Sequence, residues 1–263
     1  MPDGRRWGVL AAGAVALLAL VLAPVANASS RVILAPGQSL EVAVPVDRLT
    51  PGIADYGVAV RNAVQLAIES HPRIRGFAVR QDDVEATCFD ATANAAAALA
   101  VVANPAVVGV VGHLCSAGLA GALPVYESAG VVVLSGSATD PGLTALGPSV
   151  FDRTIVNDAD GGDAWLAAVE QLPSVLAWQS RYQARFGVAP TSFAELYFDA
   201  ANLLLRRIEQ VSALDSAGNL VVDRRALGAA VRQTSGFRGV SCFISLDAVG
   251  NRFNDLGSLP ACG

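Results

Sequence analysis

Residues 107–144 constrain the fold more than any other part of the chain. They read VVGVVGHLCSAGLAGALPVYESAGVVVLSGSATDPGLT. An apolar run over residues 107–111 breaks at Gly112, and a small polar cluster with Cys115 and Ser116 follows. A helix-like segment continues to Ala129. A second apolar run, residues 131–134, ends in Ser135-Gly136-Ser137-Ala138-Thr139. Strand, polar loop, helix, strand, polar loop is the pattern of a crossover unit. It places two polar loops at the same end of neighbouring parallel strands, where open α/β sheets hold their ligands.

The alternation extends in both directions. Residues 40–47 alternate weakly and read as the first strand, and residues 57–70 carry Val60, Val64, Ala67 and Ile68 at helical spacing until Pro72. Residues 77–80 begin a second strand that runs into Gln81-Asp82-Asp83. Residues 90–102 form an alanine-rich helix stopped by Asn104-Pro105, and residues 150–156 read as a fifth strand. Strand–helix repeated four times, then a strand, predicts an α/β fold: a Rossmann-like, doubly wound parallel sheet covered on both faces. Beyond Asn157 helices dominate, over residues 161–172, 174–185, 191–211 and 223–233. Residues 240–253 read as a hairpin around Asp247-Ala248-Val249-Gly250.

The first 28 residues read as a secretory signal peptide, with Arg5 and Arg6, an apolar run to Leu22 and Ala26-Asn27-Ala28 as a small-residue cleavage site. The run is shorter than the ~20 residues a spanning helix wants. The expectation is a soluble protein exported to the periplasm or beyond. The remaining chain, residues 29–263, is then one unit: sheet core 40–156, returning helices 161–235, hairpin and tail 236–263. The formal charge of −5 argues against a nucleic-acid partner. All 18 basic residues are arginine, which removes Schiff-base and P-loop lysine chemistry.

The four cysteines, Cys88, Cys115, Cys242 and Cys262, imply two disulfides in an oxidising compartment. Three pairings exist, and pairing by neighbourhood gives Cys88–Cys115 and Cys242–Cys262. Zinc is disfavoured by the lack of a CxxC and by the presence of only two histidines, His71 and His113. No metal or other cofactor is expected.

Catalysis finds little support. His113 lies near Cys115 and Ser116, yet the segment lacks the first glycine of a nucleophile elbow. Its plainer role is a hydrogen-bonded loop residue, and His71 reads as a solvated turn residue before Pro72. Asp82-Asp83 and Asp158/Asp160 read as strand-end and helix-start carboxylates. The positive case is binding. Ser116 at a helix start offers N–H groups and a hydroxyl to a carboxylate, with Ser137 and Thr139 at the next strand end. Plain capping and turn formation by Ser116 and Thr139 is an equal reading on residue types alone.

VVGVVGHLCSAG followed by ALPVYESAGVVVLSGSATDPGLT resembles the first lobe of the leucine/isoleucine/valine-binding proteins, type I periplasmic binding proteins that serve ABC importers. Asp55-Tyr56-Gly57, Gln81-Asp82-Asp83, Phe151-Asp152-Arg153-Thr154, Tyr182-Gln183-Ala184-Arg185-Phe186-Gly187, Phe198-Asp199-Ala200-Ala201-Asn202 and residues 234–240 also fit, so the likeness covers most of residues 40–253. It implies that the loops at Leu114, Cys115 and Ser116 and at Ser137, Ala138 and Thr139 hold an amino acid. Ser116 and Thr139 would take the carboxylate, and the Ser137 carbonyl and Thr139 hydroxyl would face the ammonium. Tyr56 and Phe193 match side-chain pocket positions, and Cys88 matches the partner of Cys115.

The likeness also shows a departure. In the family a second lobe follows the segment at 158–160, whereas here the chain passes almost directly to Leu172-Pro173-Ser174. About a hundred residues, a domain's worth, are absent. The implied function is weak binding of an amino-acid-like, branched-chain ligand in an open half-site, with an ABC importer as membrane partner and a dimer or partner protein covering the site. The alternative is an interaction or sensor module that kept the fold and lost the ligand.

Overall fold

The computed structural model describes residues 30–145, 150–253, 255–257 and 259. In chain order the elements are β1 (Arg31–Leu34), β2 (Ser39–Val46), α1 (Ala54–Ser70), β3 (Arg73–Ile74), β4 (Phe77–Glu85), α2 (Ala91–Ala103), β5 (Val107–Val111), α3 (Ser116–Ala129) and β6 (Val133–Ser135). After these come β7 (Phe151–Arg153), α4 (Gly162–Val169), α5 (Pro173–Phe186), α6 (Ala194–Val211), β8 (Ala213–Leu214), β9 (Leu220–Asp223), α7 (Arg224–Arg232), β10 (Phe237–Gly239) and β11 (Cys242–Ile244).

Six strands form the central sheet in the order β3-β4-β2-β5-β6-β7. The last five run parallel, and β3 pairs antiparallel with β4 at one edge. The chain leaves β2 towards β4 and leaves β5 towards β6, so the connections diverge between β2 and β5. Such a switch point opens a crevice beyond the carboxyl ends of the two strands.

The apolar pattern explains both covers. Along β2, Val42, Val44 and Val46 join the core with α1 and α6, while Ala43 joins the core with α2 and α3. Along β5, Val108 and Val111 face the first core and Val107 and Val110 the second. Both faces of these strands are buried, which is why they read as continuous apolar runs. Gly109 lets α6 approach the sheet, since a Cβ there would lie 3.2 Å from the Leu204 methyls. Helix α2 begins where the sequence implied. Asp90 caps it by accepting from Thr92 and Ala93 N–H at 2.8 and 3.0 Å, worth about 1 kcal/mol.

Four expectations need correction. The fourth connection, β6 to β7, carries a 3-10 turn over Pro141–Leu143 among its described residues, and no α-helix. Pro141 and Gly142 favour a turn there, with Asp140 accepting from Gly142 N–H at 2.7 Å. Residues 40–47 are not the first strand. Strand β1 precedes them and joins β9 and β8 in a separate antiparallel sheet. The fifth strand is only Phe151–Arg153. The terminal segment makes two turns, a β10–β11 hairpin reversing at Val240-Ser241 and then a tight Asp247–Gly250 turn bridged by Leu246 and Arg252. The four predicted helices after Asn157 all form, with no end moved by more than three residues.

Buried polar groups close the fold. Asp199, wholly buried on α6, accepts from Val240 N–H and Ser241 N–H at 2.8 Å and from the Ser241 hydroxyl at 2.5 Å. Arg252 then donates to the Thr154, Ser241 and Phe243 carbonyls at 2.7–3.0 Å. Its guanidinium lies 4.3 Å over the Trp165 ring. Residues 1–28, the expected signal peptide, and Cys262 lie outside the described residues. Among the described residues no helix is long and apolar enough to cross a membrane.

Candidate functional site

The loop between β5 and α3 lies at the switch point, and the loop after β6 lies beside it at the same end of the sheet. Chain crowding sets the first. Gly112 runs so close to β2 that a Cβ would meet the Pro45 carbonyl oxygen at 2.6 Å. Cys115 is the N-cap of α3 and makes no side-chain capping bond. Its sulfur is bound to Cys88, which joins the loop after β4 to the start of α3. The Cys88–Cys115 disulfide is therefore present, and the Cys242–Cys262 pairing extends beyond the described residues.

Ser116 is the first residue of α3 and not its cap, which corrects the capping expectation. Its hydroxyl accepts from Asp140 N–H at 3.2 Å and so links the two loops. Ser137 donates to the Leu114 carbonyl at 2.5 Å. Ala138 N–H donates to the Ser135 hydroxyl at 3.0 Å, and the Ala138 methyl is buried in the core beneath α2 and α3. Ala138 can therefore offer only backbone to the crevice. Thr139 is half-buried, and its carbonyl accepts from Asp158 N–H at 3.1 Å.

Tyr197 on α6 lies beneath both loops. Its hydroxyl is 2.6 Å from Ser137 Oγ, 3.1 Å from Ser135 Oγ and 2.8 Å from the His113 carbonyl oxygen. Burial raises this phenol to about 12, so it stays a neutral donor. Sequence reasoning missed Tyr197, Ser135, Asp140 and Arg153 as loop supports. The Ser135-x-Ser137 spacing was a cue, since it gives two hydroxyls to one face of an extended segment.

Tyr56 and Phe193 pair with each other, their rings 6.5 Å apart at 46°, and both pack against the core that α1 and α6 share with the sheet. Phe193 is the N-cap of α6 with φ of +73°, a left-handed conformation that a non-glycine residue adopts at about 1–3 kcal/mol.

His113, Cys115 and Ser116 do not form a nucleophile–base pair. His113 is buried, contacts the Tyr126 hydroxyl through Nε2 at 3.1 Å, and is pushed down to about 3 by burial. It is neutral at physiological pH. Cys115 is consumed by the disulfide, and Ser116 bonds Asp140 instead of the imidazole. Arg153, fully buried, donates to the Asp140 carbonyl at 3.0 Å from below the loop. No group of three or more His, Cys, Asp or Glu among the described residues is arranged to hold a metal ion. Asp83 instead pairs with Arg61, and Asp160 accepts from Asn157 at 2.7 Å.

The arrangement supplies first-turn N–H groups of α3 with no side-chain cap, hydroxyls of Ser116, Ser137 and Thr139, and strand-end backbone groups. Together these suit a small zwitterion.

The architecture is that of the type I periplasmic binding proteins. A leucine-binding protein from Thermotoga maritima aligns over 82% of this chain and 93% of that one, with a TM-score of 0.66 at 16% identity. A branched-chain amino-acid transporter substrate-binding protein from Streptococcus pneumoniae, solved with isoleucine, gives 0.63 at 16% identity over 82% and 94%. Within that class, the sequence is similar to the leucine/isoleucine/valine-binding proteins. It is 34% identical over 110 residues to a leucine-, isoleucine-, valine-, threonine- and alanine-binding protein of Pseudomonas aeruginosa, covering 41% of this chain and 29% of that protein. It is 30% identical over 147 residues to the Leu/Ile/Val-binding protein of Escherichia coli, covering 55% and 39%. The match thus spans well under half the length of these relatives. No protein-family model matches the chain.

Proposed function

We propose that this chain is an extracytoplasmic solute-binding protein of the branched-chain amino-acid ABC-transporter type, and that its 29–263 segment is a single lobe carrying one half of the binding site. The observation that carries the reading is the linked pair of loops at the switch point. Helix α3 begins with no side-chain cap, so its N–H groups and partial positive charge are open to a carboxylate beside Ser116 and Thr139. The Ser137 carbonyl and the Thr139 hydroxyl receive the ammonium, and Tyr56 and Phe193 receive the side chain. The ligand is amino-acid-like, the membrane partner an ABC importer, and the setting the periplasm or cell exterior.

With one jaw the ligand keeps part of its hydration, and binding is weak, at about millimolar Kd, roughly −4 kcal/mol. Thermal-shift titration with leucine, isoleucine, valine and other amino acids tests this. Stabilisation at millimolar ligand that vanishes in Ser116→Ala/Thr139→Ala supports it. No stabilisation by any amino acid refutes it.

A second reading, an interaction module without ligand, draws on Leu49 and Phe89, 77% and 76% exposed in loops after β2 and β4. Apolar side chains on the site's rim would serve a protein partner covering the open face. Capture of a transporter or sensor component by the amino-acid-free protein, lost in Leu49→Ser/Phe89→Ser, would favour it.

A further inference from the structure

A second concavity lies among the end of α1, α5, α6 and β10. It has a volume of about 630 Å³, and its walls include Arg181, Asn202, Arg206, Phe237 and Arg238. This is within the usual size range of small-molecule sites. It lies apart from the crevice described above, whose Ser116, Ser137, Thr139, Tyr56 and Phe193 are absent from its lining.

The charge of this groove is opposite to that of the whole chain, which is −5. Some arginines elsewhere have acidic partners, Arg48 with Glu85, Arg61 with Asp83, Arg185 with Glu69 and Arg232 with Asp152, while others such as Arg80 and Arg224 bond a hydroxyl or a carbonyl. In the groove, Arg206 has Glu209, and Arg181 donates to the Ser70 hydroxyl at 2.8 Å. Arg238 bonds no described side chain through its guanidinium. Asp199, the one acid in the lining, points both oxygens at Val240 and Ser241, and burial keeps its carboxyl above the usual range. Glu69, which also feels Arg181, is engaged by two Arg185 bonds at 2.8 and 3.1 Å.

Apolar surface accompanies the charge. Arg181 lies 5.8 Å over the Phe198 ring, and Phe237 is half-buried beside it. Guanidinium forks next to aromatic faces recognise planar carboxylates, through paired N–H bonds and stacking.

We propose that this groove is a second ligand site, for an organic anion with two or more carboxylates on a flat apolar body. Arg181 and Arg238 bind the carboxylates, with Arg206 at the rim, and Phe198 and Phe237 contact the body. The site is independent of the amino-acid half-site.

Calorimetric titration of the purified protein with phthalate tests it, with phthalamide and sulfate at matched ionic strength as controls. The expected result is saturable phthalate binding that phthalamide does not reproduce and sulfate does not displace. Arg238→Gln and Arg181→Gln, both at exposed positions, should each weaken it about tenfold. Ser116→Ala and saturating leucine should leave it unchanged. Absence of phthalate binding overturns the proposal, as does equal binding of sulfate, which would mark a diffuse field. Full affinity in both arginine variants overturns it too.

Discussion

Three hydroxyl protons serve five contacts among Tyr197, Ser135, Ser137 and the carbonyls of His113 and Leu114. Only three of those bonds form at once, so the cluster shares protons while keeping both loops in one geometry. Tyr197→Phe removes one proton and leaves at least one buried polar atom short of a partner. It should destabilise the protein by about 1–3 kcal/mol in urea denaturation, and amino-acid affinity should fall with it. An unchanged midpoint would mean that water replaces the hydroxyl freely. Tyr197 was not legible in the sequence because its neighbours Leu196, Ala200 and Leu203 make the helix read as plain core. The polar loop that carries Ser137 and Thr139 was legible because it directly follows an apolar run. Glu195, beside this tyrosine, supports a second expectation. Burial, with Glu170 and Asp199 nearby, raises its carboxyl from 4.5 to about 8. The folded state then holds a proton that the unfolded state releases, so this residue lowers stability as pH rises from about 4.5 to about 8. Glu195→Gln should be near neutral at pH 5 and stabilising at pH 9, by on the order of a few kcal/mol. A stability difference independent of pH would refute that account.

At the level of elements, the start of α3 depends on a covalent tie. Cys88–Cys115 closes a segment with a sequence separation of 27, anchoring an uncapped helix terminus to the loop after β4. Replacing both cysteines by alanine should lower stability by about 3 kcal/mol in the chain-entropy account, read as a lower denaturant midpoint. The half-site should also loosen, since Cys115 immediately precedes Ser116. An unchanged midpoint would show that packing alone holds the terminus. The strongly periodic elements were legible: β2, β5, α3 and α6 each bury a face that their residues announce. Strands β1, β8 and β9 were not, because segments of two to four residues carry no measurable period. Their pairing is also non-local, joining Arg31 to Asp223 across most of the chain. The β10–β11 turn escaped notice for a related reason. It is fixed by Asp199 on α6, and Gly239 is required because a Cβ there would lie 2.3 Å from the Asp199 Oδ2 atom. Gly239→Ala should therefore destabilise the fold by about 1–3 kcal/mol, checked by the same denaturation.

For the whole molecule, the proposed single lobe changes what binding can do. Two-lobed clamps bury a ligand by rotating one rigid body onto another about a hinge, and the closed form gains contacts that the open form lacks. A lone sheet covered by helices on both faces has no second body to rotate. Its loops are also already joined by the Ser116–Asp140 and Ser137–Leu114 bonds. Ligand should therefore enter a preformed half-site, leave quickly and produce no compaction. Small-angle scattering with and without leucine should give the same radius of gyration, and ligand resonances should show fast exchange in nuclear magnetic resonance spectra. Sedimentation adds a second criterion. If a second copy covers the open face around Leu49 and Phe89, leucine should shift the protein towards dimer, and the shift should fail in Leu49→Ser/Phe89→Ser. Micromolar affinity in a strictly monomeric protein, with a smaller radius on binding, would contradict the half-clamp. The closing surface would then have to come from the chain itself.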